Sequence, residues 1–265
     1  MQYKNKAENH NFWLKRISSN SPDKICTNDP YLDIFESNYI LSKVRKNISI
    51  LEVGCGNGLL YEKIRNKVNI KKYLGTDFIS ELVALANAKI KNPKDLFLEL
   101  DMTEINQGSF NQKFDLIISK RAIQNILSTK IQLKVIDNLG YFLKENGSMI
   151  LLESSKIAQN NINLQRKLYN LQKIDPPFHN LFLNDIKLNE YNFKNINLIK
   201  IDPFSSDFYF ITRVLYARYA SEYLNEAPTI DHPLSKIALS MRAKQITNQF
   251  SQIQAYIFTK KKNIQ

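Results

Sequence analysis

The chain has 265 residues, 43% of them hydrophobic, and a formal net charge of +12; that is long and apolar enough to bury a sizeable core. No apolar run approaches the roughly eighteen residues of a membrane span, and the opening MQYKNKAENHNFW lacks a signal-type apolar centre, so a cytoplasmic protein without a membrane span is expected. The lysines that carry the positive charge are scattered along the whole chain together with abundant asparagine and isoleucine, with no arginine-rich stripe, which argues against a specific nucleic-acid partner and leaves a small acidic substrate open.

Residues 1–45 are polar, carry Trp13 and show an apolar helical pattern from Tyr31 to Val44; they are expected to form an N-terminal helical lead-in or lid. The main domain then occupies residues 46–265. ISILEV reads as a first strand ending at a glycine turn, and LLYEKIRNKV, with Leu60, Ile64 and Val68 at helical spacing, as the helix behind it. KYLGTD is a second strand ending at Asp77, SELVALANAKI a helix with Ser80 at its cap, LFLEL a third strand and FDLIIS a fourth. Ile131, Val135, Ile136, Leu139, Phe142 and Leu143 mark a helix expected to stop at ENG with Gly147 as C-cap, before SMILLE as fifth strand. This alternation predicts an α/β, Rossmann-like, doubly wound and mostly parallel sheet with its ligand site at the carboxyl ends of the strands. After Glu153 the pattern breaks: a helical stretch over 156–173, an extended DPPFHN turn, a strand at INLIKI, a helix over 208–223 and a last strand at IQAYIFTK. A seven-stranded sheet results, with a helical insertion over about 155–250 that is expected to meet the substrate. Cys26 and Cys55 define no disulfide framework, and His10, His179 and His232 have no ligand spacing, so no metal is expected.

Three of the seven glycines fall within five residues of ILEVGCGNGLL. Glycine serves where the backbone needs positive φ or close approach to a ligand. The spacing G-x-G-x-G differs from the G-x-G-x-x-G of dinucleotide sites and disfavours NAD. LEVGCGNG resembles the first motif of class I S-adenosylmethionine-dependent methyltransferases, and the later motifs of that family follow in order over residues 48–153. The resemblance implies S-adenosyl-L-methionine as cofactor, with Glu52, Gly54, Cys55, Gly56, Asn57 and Gly58 binding it and the Gly54–Gly58 turn at its nucleotide end. It also implies Asp77 and Phe78 at the ribose, Asp101 and Met102 at the adenine, and Ser119 and Lys120 ending the fourth strand. LKENGSMILLE resembles the family's turn into the fifth strand, with Asn146 where a second glycine is usual.

SKRAIQNILS, NLQRKLYNL, PFHN, FYFITRVLYARYA and HPLSKIAL further resemble bacterial methyltransferases met beside sugar-nucleotide and surface-polysaccharide genes, with Phe178 where tryptophan is commoner. The activity implied is O-methylation of a small polar substrate, sugar-like or anionic. Arg121, Asn125, Arg166, Asn180 and Arg213 are the expected substrate contacts, since arginine forks suit carboxylates and phosphates. His179 is the expected base and Glu153 the next choice. Two other readings stay open: methylation of a nucleic-acid or protein group, and a non-catalytic cofactor-binding partner subunit.

Overall fold

A computed structural model describes residues 6–230, 232–241 and 246–262. Residues 1–5 of the lead-in and Asn263 of the terminal TKKKN run lie outside the described residues. Two helices precede the sheet, α1 (Lys6–Ser19) and α2 (Pro30–Leu41). The second starts where proline at the first helical position and Asp29 at the cap favour it, the Asp29 carboxylate accepting from the Leu32 N–H.

The β-branched and leucine-rich run after them forms β1 (Ser49–Val53), every residue of which is buried. Then come α3 (Leu59–Lys67), β2 (Lys72–Asp77), α4 (Ser80–Asn87), β3 (Leu96–Glu99), β4 (Phe114–Lys120), α5 (Thr129–Tyr141) and β5 (Leu143–Ser154). The insertion follows as α6 (Lys156–Leu168) and α7 (Asp185–Glu190), then β6 (Ile196–Asp202) and β7 (Ile253–Lys260). Between these two strands, a helix beginning at Ser206–Phe210 widens into π-helical turns at Ile211–Leu215 and Ala220–Leu224, and a further helix covers Pro233–Ser240.

The seven strands lie in the order β3-β2-β1-β4-β5-β7-β6. The first five are parallel, while β7 runs antiparallel to both β5 and β6. One face is covered by Phe35, Leu60, Tyr61, Ile64, Val83, Ile162 and Phe208, the other by Val135, Ile136, Leu139, Phe142 and Leu188. The strand order reverses between β1 and β4, so their connections leave to opposite faces and a crevice opens at their carboxyl ends. Among the described residues no helix is long and apolar enough to cross a membrane.

The structure corrects three local expectations. Helix α5 ends at Tyr141, and Gly147 lies inside β5 rather than capping a helix. A Cβ there would stand 3.0 Å from the carbonyl oxygens of Phe114 and Lys144, beside the register shift at Phe114/Leu116, so the glycine lets β5 bend past β4. Ser80 is the first residue of α4, and Ile79 precedes it at the cap. Helix α6 stops at Leu168, short of 173, because Asn170 turns left-handed with φ of 55°.

Candidate active site

The cleft at these strand ends offers about 1100 Å³ of space, part of it open to solvent. Its floor is the turn after β1, where Gly54, Gly56 and Gly58 take φ of 68°, 54° and 77°. The positions are crowded as well as left-handed: a Cβ on Gly56 would stand 2.6 Å from Cys26 Sγ, and one on Gly54 would run into the Ala122 side chain. Asn57 ties the turn to the segment before α2, donating to the Pro22 carbonyl at 2.6 Å and accepting weakly from Cys26 Sγ at 3.6 Å.

Asp77 ends β2, one strand over. Its carboxylate accepts from the Gly56 N–H at 2.8 Å and the Ile79 N–H at 3.1 Å, which fixes it facing the cleft. Burial pushes its carboxyl up to about 6, against these backbone donors. Glu52 lies deeper, receives the Tyr73 hydroxyl, and is raised to about 8 by burial. Phe78, Leu82, Leu100 and Met102 supply apolar walls, and Asp101 bends back to accept from the Thr103 N–H at 2.8 Å.

Helix α1 roofs this end. Trp13, Leu14 and Ile17 pack on Ile25, Ile79 and Leu82, Lys6 pairs with Asp101 at 2.5 Å, and Asn9 donates to the Asn125 carbonyl at 3.0 Å. A deep apolar slot, a fixed carboxylate reachable from it and a glycine turn with close backbone access fit the adenosine and amino-acid parts of S-adenosylmethionine. Residues Gly54, Cys55, Gly56, Asn57, Asp77, Phe78, Asp101 and Met102 would hold it.

The other end is charged. Lys120 and Arg121 leave β4 into a turn whose backbone is fixed by Glu153. That carboxylate, fully buried, accepts from Ser119 Oγ at 2.7 Å and from the N–H groups of Ala122, Ile123 and Gln124 at 3.0–3.1 Å. Burial raises it to about 7 in spite of these donors. Arg121 takes φ of 56°; the other non-glycine residues with positive φ among those described are asparagines. An arginine held there is a strained position of the kind found at functional sites. Three acids from the start of α2 face this turn: Asp29 pairs with Arg213 at 3.0 Å, Asp33 with Lys63 and with Lys120 at 2.5 Å, and Glu36 with Arg121 Nε at 3.3 Å.

The expected site residues therefore separate into two groups. Glu52, Gly54, Cys55, Gly56, Asn57, Asp77, Phe78, Asp101, Met102, Lys120, Arg121 and Asn125 all line one cleft. Gly58 caps α3 just behind it, and Ser119 is buried against Glu153. Glu153 itself is enclosed in its hydrogen bonds and does not line the cleft. His179 stacks on Phe12 at 3.9 Å and lies near Trp13, joining the insertion to α1 outside the cleft lining. Burial, and then Arg16, push its imidazole down to about 4, so it is neutral near neutral pH. Asn180 adjoins it, Arg166 donates to the Gln172 and Arg213 carbonyls, and Arg213 is engaged by Asp29. Lys6, Asn9, Trp13, Cys26, Thr27, Asp33 and Glu36 are additions that sequence reasoning did not supply.

A family model described as "Methyltransferase domain" matches residues 44–256. A malonyl-[acyl-carrier protein] O-methyltransferase of Buchnera aphidicola is 30% identical over 214 residues, covering 79% of this chain and 78% of the relative. Another of that name, from Priestia megaterium, is 30% identical over 142 residues, 48% of this chain; the chain spans about half the length of that relative, 51%. Among solved structures, the N-methyltransferase NodS from Bradyrhizobium japonicum, in complex with S-adenosyl-L-homocysteine, superposes with a TM-score of 0.55 at 12% identity, covering 96% of this chain and 99% of that one. The plantazolicin methyltransferase BpumL superposes at 0.52 with 16% identity, over 97% and 99%. With these matches running through the whole sheet and its cleft, the chain belongs to the class I S-adenosylmethionine-dependent methyltransferases.

Proposed function

We propose that this methyltransferase acts on an oxygen of a small anionic acceptor, with a carboxylate as the preferred nucleophile. The carrying observation is that the acceptor end of the cleft presents cations and no free base among the described lining residues. Arg121 and Lys120 line it, whereas Asp33 is bound to Lys63 and Lys120, and Glu52 to Tyr73. His179 and Glu153, the two expected bases, lie outside the lining. A hydroxyl acceptor needs a proton removed as its oxygen attacks; a carboxylate does not. The cofactor's sulfonium supplies a methyl group already activated for displacement. The chain then has to hold the acceptor oxygen in line and keep water out, through the α1 roof and the turn carrying Arg121 to Asn125.

Two of the relatives support this reading, being named for O-methylation of a malonyl group, whose free end is a carboxylate. A sugar-like acceptor of a polysaccharide pathway fits the same cations if it carries an acid or phosphate. The test is transfer from methyl-labelled S-adenosylmethionine to malonyl-pantetheine, a hexuronic acid and a nucleotide sugar, followed by alkali. An alkali-labile methyl ester is expected. Exclusive formation of an alkali-stable ether would return the acceptor to a hydroxyl and require a base.

A further inference from the structure

We propose that Glu36 is a positioning residue that holds Arg121 as a forward-facing fork for the acceptor's carboxylate. The proposal rests on the anionic-acceptor reading above and adds the residue that gives it selectivity.

Glu36 is 0% exposed, yet neither of its oxygens makes an aligned hydrogen bond. Its cationic partners are Arg121 Nε at 3.3 Å and Lys120 Nζ at 4.0 Å. Buried carboxylates are normally saturated with donors, as Glu153 is, so an unsaturated one calls for an explanation. Lys120 does not provide it, because Asp33 already holds Lys120 at 2.5 Å. Nor is Glu36 placed to take a proton from an acceptor, since it stands behind Arg121 and does not line the cleft.

What Glu36 can act on is one edge of the Arg121 guanidinium. The backbone of Arg121 is already immobilised: its N–H donates to the Leu152 carbonyl at 2.7 Å, its carbonyl accepts from Asn125 Nδ2 at 3.0 Å, and the next three N–H groups are bound by Glu153. With the backbone held at φ of 56°, the freedom left is in the side-chain torsions. An acid on the Nε side fixes them and turns the two terminal nitrogens away from itself. Those nitrogens hydrogen-bond to nothing among the described residues, and the side chain lines the cleft. A planar fork with both outer N–H pairs free suits the two oxygens of a carboxylate. A neutral methyl ester, lacking the charge that the fork binds, is held less firmly than the carboxylate it came from. Arg213, by contrast, spends its fork on Asp29 at 3.0 Å.

The test pairs binding with turnover. Malonate is titrated into the complex with S-adenosylhomocysteine, and malonyl-pantetheine is used as acceptor. For Glu36→Gln we expect unchanged S-adenosylhomocysteine affinity, a KM for malonyl-pantetheine raised about tenfold or more, kcat within about threefold of wild type, and weaker malonate binding. In an Arg121→Gln background, Glu36→Gln should have no further effect. If Glu36→Gln does not bind S-adenosylhomocysteine, Glu36→Asp replaces it, keeping the charge but withdrawing it from Nε, and the same rise in KM is expected at smaller size. Wild-type KM and malonate affinity in a Glu36 variant would overturn the proposal and leave the anionic-acceptor reading intact, as would a Glu36 effect that persists without Arg121. Wild-type protein that neither binds malonate nor methylates malonyl-pantetheine would overturn the reading and the proposal together.

Discussion

At the Gly54 end, the groups lining the cleft are a bare backbone turn and a carboxylate that backbone N–H groups hold, contributed by neighbouring parallel strands. At the Arg121 end they are side-chain charges gathered from α2, α3, the end of β4 and the π-helical turn at Ile211–Leu215, elements far apart in sequence. The first end gets its precision from φ angles and sheet register, the second from ion pairs in which Asp33 holds Lys63 and Lys120, Glu36 holds Arg121 and Asp29 holds Arg213. A backbone-built site tolerates little change but reads one constant ligand. A side-chain-built site can be altered residue by residue, which suits the half of a transferase that meets its particular substrate.

The contrast can be broken first at its rigid end. Gly56→Val adds a branched side chain at φ of 54° against Cys26 Sγ, and calorimetry should show S-adenosylhomocysteine binding weakened by at least about a hundredfold. Glu153→Gln probes the joint between the ends. It turns an acceptor of four hydrogen bonds into a group that must aim an N–H at other N–H donors, so urea unfolding should show a loss on the order of 3 kcal/mol. Asp77 sharpens the comparison through pH. Its carboxyl titrates at about 6, so cofactor affinity should be full above that pH and fall as pH drops below it, where the acid form accepts fewer hydrogen bonds. Asp77→Asn should weaken binding by about 1.5–3 kcal/mol and flatten the pH profile.

Smaller effects belong to the roof. His179 is pushed down to about 4 by burial and Arg16. A depressed imidazole contributes stability that is present above its ordinary value near 6.5 and is lost as pH falls from there toward 4. His179→Phe should therefore reduce the drop in Tm between pH 7.5 and pH 5 while turnover stays within a few-fold of wild type. A turnover loss of a hundredfold or more would make the imidazole a base after all. Lys6→Ala removes a half-exposed pair with Asp101 and should change cofactor affinity by less than about 1 kcal/mol, less still at high salt.

The rigid half was also the readable half. The strands β1 to β4 and the glycine turn follow from β-branched runs and glycine spacing, which are local chemistry, while Asp77 and Asp101 stand at strand ends and are singled out by the resemblance of the motifs around them. Glu36 and Asp33 were not legible, for an acid on a helix looks the same in sequence whether it faces water or a buried arginine. The surroundings of Glu153 are hidden for a related reason: a carboxylate at a strand end is placed by the fold, but its donors, three consecutive N–H groups of the turn after β4, are visible only in space. Gly147 reads in sequence as a helix stop because what requires it, the backbone of β4, is also non-local.

The placement of β7 between β5 and β6 has a consequence for how the protein is made. Glu153 pairs with Gln254 and Ser154 with Ile253, so the inner edge of β5 stays bare while the whole insertion is synthesised. Strand β6, although made earlier than β7, has nothing to join until that strand arrives to bridge the gap. A nascent chain therefore carries an open, apolar strand edge over a long stretch of translation, the condition under which chains mispair or recruit chaperones. Closing that edge joins β5 to a strand on the far side of the insertion, so its loop-closure entropy must be met before the pairing is gained.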